Sequence, residues 1–237
     1  MKNLCLIPAR SGSRRVKDKN IKLLSGKPLI YYTIDSAISS KIFDRIIVCT
    51  DSIKYASIAK SFGAECKKIR PKNISGSKSP DIDWIKWIFN SYDISLKKKI
   101  DNFCILRPTS PFRSTKYIKE AYKKFKANYK SADSLRGVSL SSIHPGKMWV
   151  INSNLMSPLL PFNINDIPWH SNQSSILPKV FFQNASIEIS KVSNIDNNSI
   201  TGERILPFVS NNIESFDINT LEDFNYAEYL LKEKFKN

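Results

Sequence analysis

Metal clusters, redox motifs and long apolar segments are all missing from this chain. There are only two histidines, His144 and His170, and they are far apart, which argues against a zinc site. The four cysteines, Cys5, Cys49, Cys66 and Cys104, never fall at CxxC spacing. Cys5, Cys49 and Cys104 lie in or at the end of apolar runs and read as small core residues, not as metal ligands or disulfide partners. No apolar run approaches the ~20 residues needed to span a bilayer. Lys2 is followed by too short an apolar stretch before Pro8 and Arg10 to make a secretory signal, so a cytoplasmic protein is expected. Internal repeats and low-complexity segments are absent as well.

Acidic residues are scarce, 21 against 37 basic ones, for a net charge of +16. Such a balance can mark a nucleic-acid binder. Here the lysines are spread along the chain, as at Lys123-Lys124, without a dense basic arm or an RNP-type aromatic motif. General lysine enrichment is the better account, with anionic substrates absorbing part of the charge. Neither a nucleic-acid nor a membrane partner is expected.

What is present is an alternation of strand and helix signals along 237 residues, 41% of them hydrophobic. That suits one α/β domain with an elaboration. Strands are expected at Leu4 to Ile7, Arg45 to Thr50, Ala64 to Ile69, Asn102 to Leu106, Ser134 to Val138, Val180 to Ile189 and Ile205 to Val209. Helices are expected from Pro28 to about Ser39, Ile53 to Ser61, Asp81 to Tyr92, Ser114 to about Ala127, and Leu221 to about Phe235. Asp51 or Ser52 caps the second of these. Alternation of this kind implies a parallel sheet with right-handed crossovers. Residues of about 140–180 break the pattern. They hold Pro145, Pro158, Pro161, Pro168 and Pro178, yet also Trp149, Leu159, Leu160, Phe162 and Trp169. An inserted arm that buries those rings against a partner subunit fits such a composition.

The loop after the first strand carries one glycine, Gly12, and five cations, Arg10, Arg14, Arg15, Lys17 and Lys19. It is neither a Walker A loop nor GxGxxG. Cations crowded at the C-terminal end of a parallel strand repel one another unless an anion neutralises them, and open α/β sheets bind ligands at that edge. Amides around Ser11 to Ser13 can add a nest of donors. The loop is therefore either a polyphosphate cradle or a solvated basic turn.

Four segments, in order, carry a family resemblance: Ile7-Pro-Ala-Arg-Ser-Gly-Ser-Arg-Arg with Lys19-Asn20 downstream, Phe43-Asp-Arg-Ile-Ile-Val-Cys-Thr-Asp51, Leu106-Arg-Pro-Thr-Ser-Pro-Phe-Arg113, and Phe216-Asp-Ile-Asn-Thr-Leu-Glu-Asp223. Together they resemble the acylneuraminate cytidylyltransferases, or CMP-sialic acid synthetases, from about residue 3 to residue 231. The resemblance implies a single three-layer, mostly parallel α/β domain. This is the Rossmann-like nucleotide-diphospho-sugar transferase fold, a homodimer whose arm crosses to the partner. It implies CTP, Mg2+ and an α-keto acid sugar as reactants, the anomeric hydroxyl attacking the α-phosphate.

Carried onto this chain, the resemblance assigns nucleotide binding to Ala9, Arg10, Ser11, Gly12, Ser13, Arg14, Lys19, Asn20 and Arg70. Arg10, Arg14 and Asp217 are the catalytic candidates. Asp217 is the candidate metal ligand, with Asn219 where the family often has a second aspartate; a turn or cap carboxylate is the structural alternative for Asp217. Arg107, Thr109, Ser110, Gln183 and Asn184 are the candidate sugar contacts. Arg107 stands where glutamine is commoner, and a guanidinium there suggests a more anionic acceptor. Glu188 is either a paired acid at the core edge or a substrate ligand, and His144 and His170 are surface or pocket residues of the arm. A cytidylyltransferase for another acceptor, such as a KDO-like sugar, and a nucleotide-binding module without catalysis are the competing functions.

Overall fold

The computed structural model describes residues 1–92, 100–211 and 213–234. Its central sheet contains β1 (Asn3–Pro8), β2 (Arg45–Cys49), β3 (Asn102–Ile105), β4 (Ser134–Leu140), β5 (Phe181–Lys191) and β6 (Ile205–Val209), in the order β6-β4-β5-β3-β1-β2. Strand β1 runs parallel to β2 and β3, and β6 runs parallel to β4. The flanking helices are α1 (Leu29–Ser40), α2 (Ile53–Ser61), α3 (Asp81–Ser91), α4 (Thr115–Ala127) and α5 (Leu221–Lys234). Phe235, the expected end of α5, lies outside the described residues. No helix among the described residues is long and apolar enough to cross a membrane.

Period-two side-chain alternation explains the three layers. Along β1, Cys5 and Ile7 join Ile30, Ile34, Tyr55, Ile118 and Phe125 on one face. Leu4 and Leu6 join Trp84, Ile85, Ile88 and Phe103 on the other. Both faces are covered, which is why the strands are continuous apolar runs without polar alternation. All four cysteines are buried and free. Ser52, not Asp51, caps α2, accepting from the Tyr55 amide, and Ser114 caps α4 through the Tyr117 amide.

Two expectations are corrected. The segment Ala64 to Ile69 is not a strand: it makes a single bridge, Glu65 to Ile47, and then leaves the sheet. Ala64 and Cys66 are buried, but Lys67, Lys68 and Ile69 are exposed, so the apolar contact ends after Cys66 and the ladder with β2 is not continued. Nor does β5 continue the parallel pattern; it is antiparallel to both β3 and β4. The cause is visible at Leu140 and Phe181, which pair across the ladder. Strands β4 and β5 are a hairpin, and residues 141–180 are its connection.

That connection is built from two small antiparallel ribbons, Trp149–Asn152 with Leu155–Pro158 and Asn163–Ile164 with Ile167–Pro168. Trp169 packs edge-on against His144 and Phe162, and Trp149 tilts against His170 at 4.7 Å. His144 Nδ1 accepts from the Gly146 amide, and its Nε2 lies 3.1 Å from the Pro178 carbonyl. Both histidines therefore brace the arm. Its outer face leaves Ile151 and Leu155 73% and 80% exposed.

The β4–β5 hairpin also carries an irregularity. Gln183 pairs with Val138, but Glu188 pairs with Arg136, so β5 bulges between them. The bulge folds over Gly137, where an added Cβ would lie 2.6 Å from Asn184 Oδ1 and 2.7 Å from Ser186 Oγ. Only a residue without a side chain admits that approach. Gly137→Ala is expected to destabilise the fold by about 1–3 kcal/mol through overpacking, measured by denaturant unfolding; an unchanged midpoint would mean that the bulge can shift at no cost.

Candidate functional site

The C-terminal ends of β1 and β3 open onto a first cleft, and the turn after β3 shares a second cleft with β5 and the turn before α5. The first, of about 290 Å3, is lined by Pro8, Arg10, Ser13, Lys19, Asn20, Arg70, Gly76, Ser77, Ser79, Asp81, Arg107, Pro108 and Thr109. The second is lined by Arg107, Phe182, Gln183, Asn184, Ala185, Ser215, Asp217 and Asn219. Among the described residues Arg107 belongs to both.

The early loop is held from both ends. The Ala9 amide donates to the Cys49 carbonyl, continuing the β1–β2 ladder. Asp51, just past β2, accepts from the Ser11 amide at 2.8 Å and the Ser11 hydroxyl at 3.2 Å. Asn20 is buried and donates to the Arg10 carbonyl at 3.0 Å. Arg10, Ser13, Lys19 and Asn20 thereby face the first cleft together. The expected amide nest is partly closed, because the Ser11 amide serves Asp51 and the Ser13 amide serves the Ser11 carbonyl. Side-chain cations, more than amides, are left to meet an anion. Arg70 is buried at the far wall and donates from Nε to Ser75 Oγ at 3.1 Å.

Arg14 is exposed and lines neither cleft. Its neighbour Arg15 reaches across instead, donating to Asn219 Oδ1 at 3.1 Å. Lys19 Nζ donates to the Ile218 carbonyl at 2.6 Å, and the Ile218 amide donates to the Thr109 carbonyl at 2.8 Å. These contacts draw the early loop, the turn after β3 and the turn before α5 into one place. Burial pushes the Lys19 ammonium below its usual range, against the attraction of Asp217.

The turn before α5 settles the cap. Asp223 Oδ2 accepts from the amides of Asn219 and Thr220, and Thr220 Oγ1 accepts from the Asp223 amide, a reciprocal cap. Asp217 is left out of it. Its Oδ2 accepts from Asn219 Nδ2 at 2.7 Å, while its Oδ1 is buried with no hydrogen-bond partner among the described residues. An orphaned buried carboxylate oxygen costs on the order of 1–3 kcal/mol or more unless a ligand satisfies it. A hard divalent cation shared with phosphate oxygens fits that donor. Asn219 has its amide on Asp217 and its carbonyl on Arg15, so it orients the acid. Among the described residues no group of three or more acidic, histidine or cysteine side chains could hold a metal alone.

The chain matches the family model described as Cytidylyltransferase over residues 4–232. It belongs to the cytidylyltransferase family. It is 34% identical to the CMP-N,N'-diacetyllegionaminic acid synthase of Legionella pneumophila subsp. pneumophila, over 98% of this chain and 97% of that protein. It is 38% identical to a pseudaminic acid cytidylyltransferase of Campylobacter jejuni subsp. jejuni, over 54% of this chain and 55% of that one. In fold it resembles a CMP-2-keto-3-deoxy-manno-octonic acid synthetase solved in complex with CTP, with a TM-score of 0.70 over 99% of this chain and 100% of that one at 15% identity.

To Arg107 and Glu188 the wall shared by the two clefts adds Asp81 and Arg136, which composition and spacing could not find. Arg107 Nη2 donates to Asp81 Oδ2 at 2.5 Å and to Glu188 Oε1 at 2.9 Å. Glu188 Oε2 lies 2.9 Å from Arg136 Nη1. Glu188 is thus a paired buried acid. Burial opposes ionisation of Asp81, but the charge of Arg107 and bonds from Trp84 and Arg107 hold its carboxyl below the usual range. Two of the sugar-contact expectations change. Ser110 is fully buried, its hydroxyl unpartnered, and it lines neither cleft. Asn184 borders the second cleft, but its side chain donates to Ser139 and Ser210 and accepts from Ser186. It braces the bulge. Gln183 remains exposed on the cleft wall, while Thr109 faces the first cleft.

Arg10→Ala and Asp217→Ala are each expected to lower turnover at least ~100-fold, the low end for losing a charge-stabilising group; near-normal turnover would remove that residue from the site. Because burial lowers the Lys19 pKa, its charge is lost at lower pH than a free lysine's. The alkaline fall in kcat/KM should begin below pH 10.5 and move upward in Lys19→Arg, whose guanidinium stays protonated. An alkaline limb identical in the two proteins assigns it to another group.

Proposed function

We propose that the chain couples CTP to a nonulosonate, an α-keto acid sugar of the neuraminic, legionaminic or pseudaminic type, to give a CMP-sugar and pyrophosphate. One observation carries the reading: a cationic cleft and a polar cleft meet at Arg107, beside an acid with an unsatisfied oxygen. The names of the relatives supply the nucleotide and the class of acceptor.

In this mechanism Arg10, Lys19 and Ser13 hold the triphosphate, and Asn20 and Arg70 border the nucleoside. The sugar lies in the second cleft along Gln183, Ser215 and the bulge. Its anomeric hydroxyl oxygen bonds to the α-phosphorus as the bond to the bridging oxygen of the β-phosphate breaks. Pyrophosphate leaves with that electron pair, and the hydroxyl proton passes to water. Negative charge gathers on the α-phosphate and on the leaving group, so catalysis is positioning plus neutralisation. Asp217 would hold Mg2+, which supplies Lewis-acid charge neutralisation. Arg15 and Asn219 fix the acid in place.

The enzyme is assigned to the cytoplasm, with the nucleoside triphosphate pool. The exposed apolar face of the arm is assigned to a homodimer, since side chains such as Ile151 and Leu155 stay largely exposed in one subunit.

A matrix of the four nucleoside triphosphates against nonulosonates and KDO, with Mg2+, is expected to yield product mass and pyrophosphate for CTP with a nonulosonate. Product with KDO alone would transfer the function to that acceptor, and CTP binding without any product would make the chain a binding module. Light scattering is expected to give twice the chain mass, and a charged pair placed at Ile151 and Leu155 is expected to give the single-chain mass.

A further inference from the structure

The residue that holds Arg10 in place stands outside both clefts. Arg10 lies between Ala9 and Ser11, and the end of β2 bonds to both of these neighbours. The Ala9 amide donates to the Cys49 carbonyl. A parallel ladder would next join the Ser11 amide to the carbonyl of residue 51. There the chain turns toward α2, and the Asp51 carboxylate takes the carbonyl's place. It accepts from the Ser11 amide at 2.8 Å and from the Ser11 hydroxyl at 3.2 Å. Asp51 lines neither cleft.

The clamp is closed from the other side. The Ser11 N–H and the Arg10 C=O belong to one planar peptide unit and point in opposite directions. Asp51 holds the first, and Asn20 Nδ2 donates to the second at 3.0 Å. With both ends engaged the unit cannot turn, so the direction in which the Arg10 side chain leaves the backbone is set. The first turn of α2 reaches the loop a second time: Tyr55 Oη donates to Asp18 Oδ1 at 3.0 Å, next to Lys19 in the chain. A loop with five cations, free to rearrange, would spread them into solvent. This one keeps Arg10 and Lys19 on the wall of the first cleft.

The charge of Asp51 has the wrong sign for its place. A carboxylate beside a triphosphate cleft repels the ligand, so any benefit to binding comes from its bonds. Resting on the reading that CTP occupies the first cleft, we propose that Asp51 is a positioning residue for CTP: it acts through the Arg10–Ser11 peptide to aim the Arg10 guanidinium at the phosphates. Order that is present before the ligand arrives does not have to be created when it binds.

CTP affinity, measured by calorimetry on the full chain with Mg2+, tests this. Electrostatics alone predicts that removing the acid tightens binding. The positioning role predicts the reverse. Asp51→Ala is expected to weaken CTP about tenfold, the low end for a charge-assisted hydrogen bond. Asp51→Asn, which keeps an acceptor for the Ser11 amide, is expected to stay within about threefold of wild type. Added to Arg10→Ala, Asp51→Ala is expected to cost less than about threefold more, because the two residues act as one unit. Affinity unchanged or raised in Asp51→Ala overturns the proposal, as does a failure of asparagine to rescue. Losses that multiply in the double variant overturn it too, being the mark of a general loss of structure. A thermal melt shows that each variant is folded. Should Asp51→Ala not fold, Asp51→Glu decides, because it keeps the charge and moves the acceptor by one methylene; wild-type affinity then overturns the proposal. If wild type binds no CTP, the parent reading is wrong and this proposal falls with it. CTP binding without product sinks the coupling reaction alone, and the same titrations still decide on Asp51.

Discussion

Glu188 is a carboxylate with a side chain only 6% exposed, and the architecture of the site depends on how it is neutralised. A lone buried charge of this kind would not be tolerated; removing one partner of such a pair typically costs about 3–5 kcal/mol. Here Arg107 and Arg136 share it, and Arg107 extends the chain of charges to Asp81 at the first turn of α3. Four alternating charges thereby join a loop after β3, two neighbouring strands and a helix on the far side of the sheet. Such a chain favours one geometry over its neighbours, because sliding any member leaves a charge unpaired.

A second buried cation supports the first. Arg113 is nearly inaccessible and has no carboxylate partner among the described residues; it donates to carbonyls instead, to Ser186 from Nε and to Arg107 from Nη2, and to Thr33 Oγ1 from Nη1. The turn from Arg107 to Arg113 is thus wrapped around its own last side chain. The backbone of Arg107 is fixed from below by Arg113 while its side chain is fixed laterally by Asp81 and Glu188. Precision of this kind is what an in-line displacement requires, since small displacements of the reacting groups are costly.

The order of elements was legible because it is local. Runs such as Arg45 to Thr50 and Asn102 to Leu106 admit little but a buried strand, and Ser52 and Ser114 announce their helices. The cationic loop and the late acid were also legible, since Arg10 and Asp217 stand in motifs whose residue types already limit the chemistry. What escaped were long-range pairings. Nothing near Glu188 in sequence names Arg107 as its partner 81 positions away, and nothing near Asn219 names Arg15 across 204. The direction of β5 escaped for the same reason: strand propensity says nothing about which way a strand runs. Asn184 and Ser110 have the residue types of sugar contacts, but the bulge and the turn aim them inward.

The hairpin root of the arm carries a wider implication. Leu140 and Phe181 close the ladder whatever lies between them, and entropy penalises a longer surface loop only logarithmically. Residues 141–180 can therefore lengthen, shorten or be recast over evolutionary time without disturbing the register of β4 and β5. The arm and the clefts then become separable traits, inherited together but free to diversify at different rates.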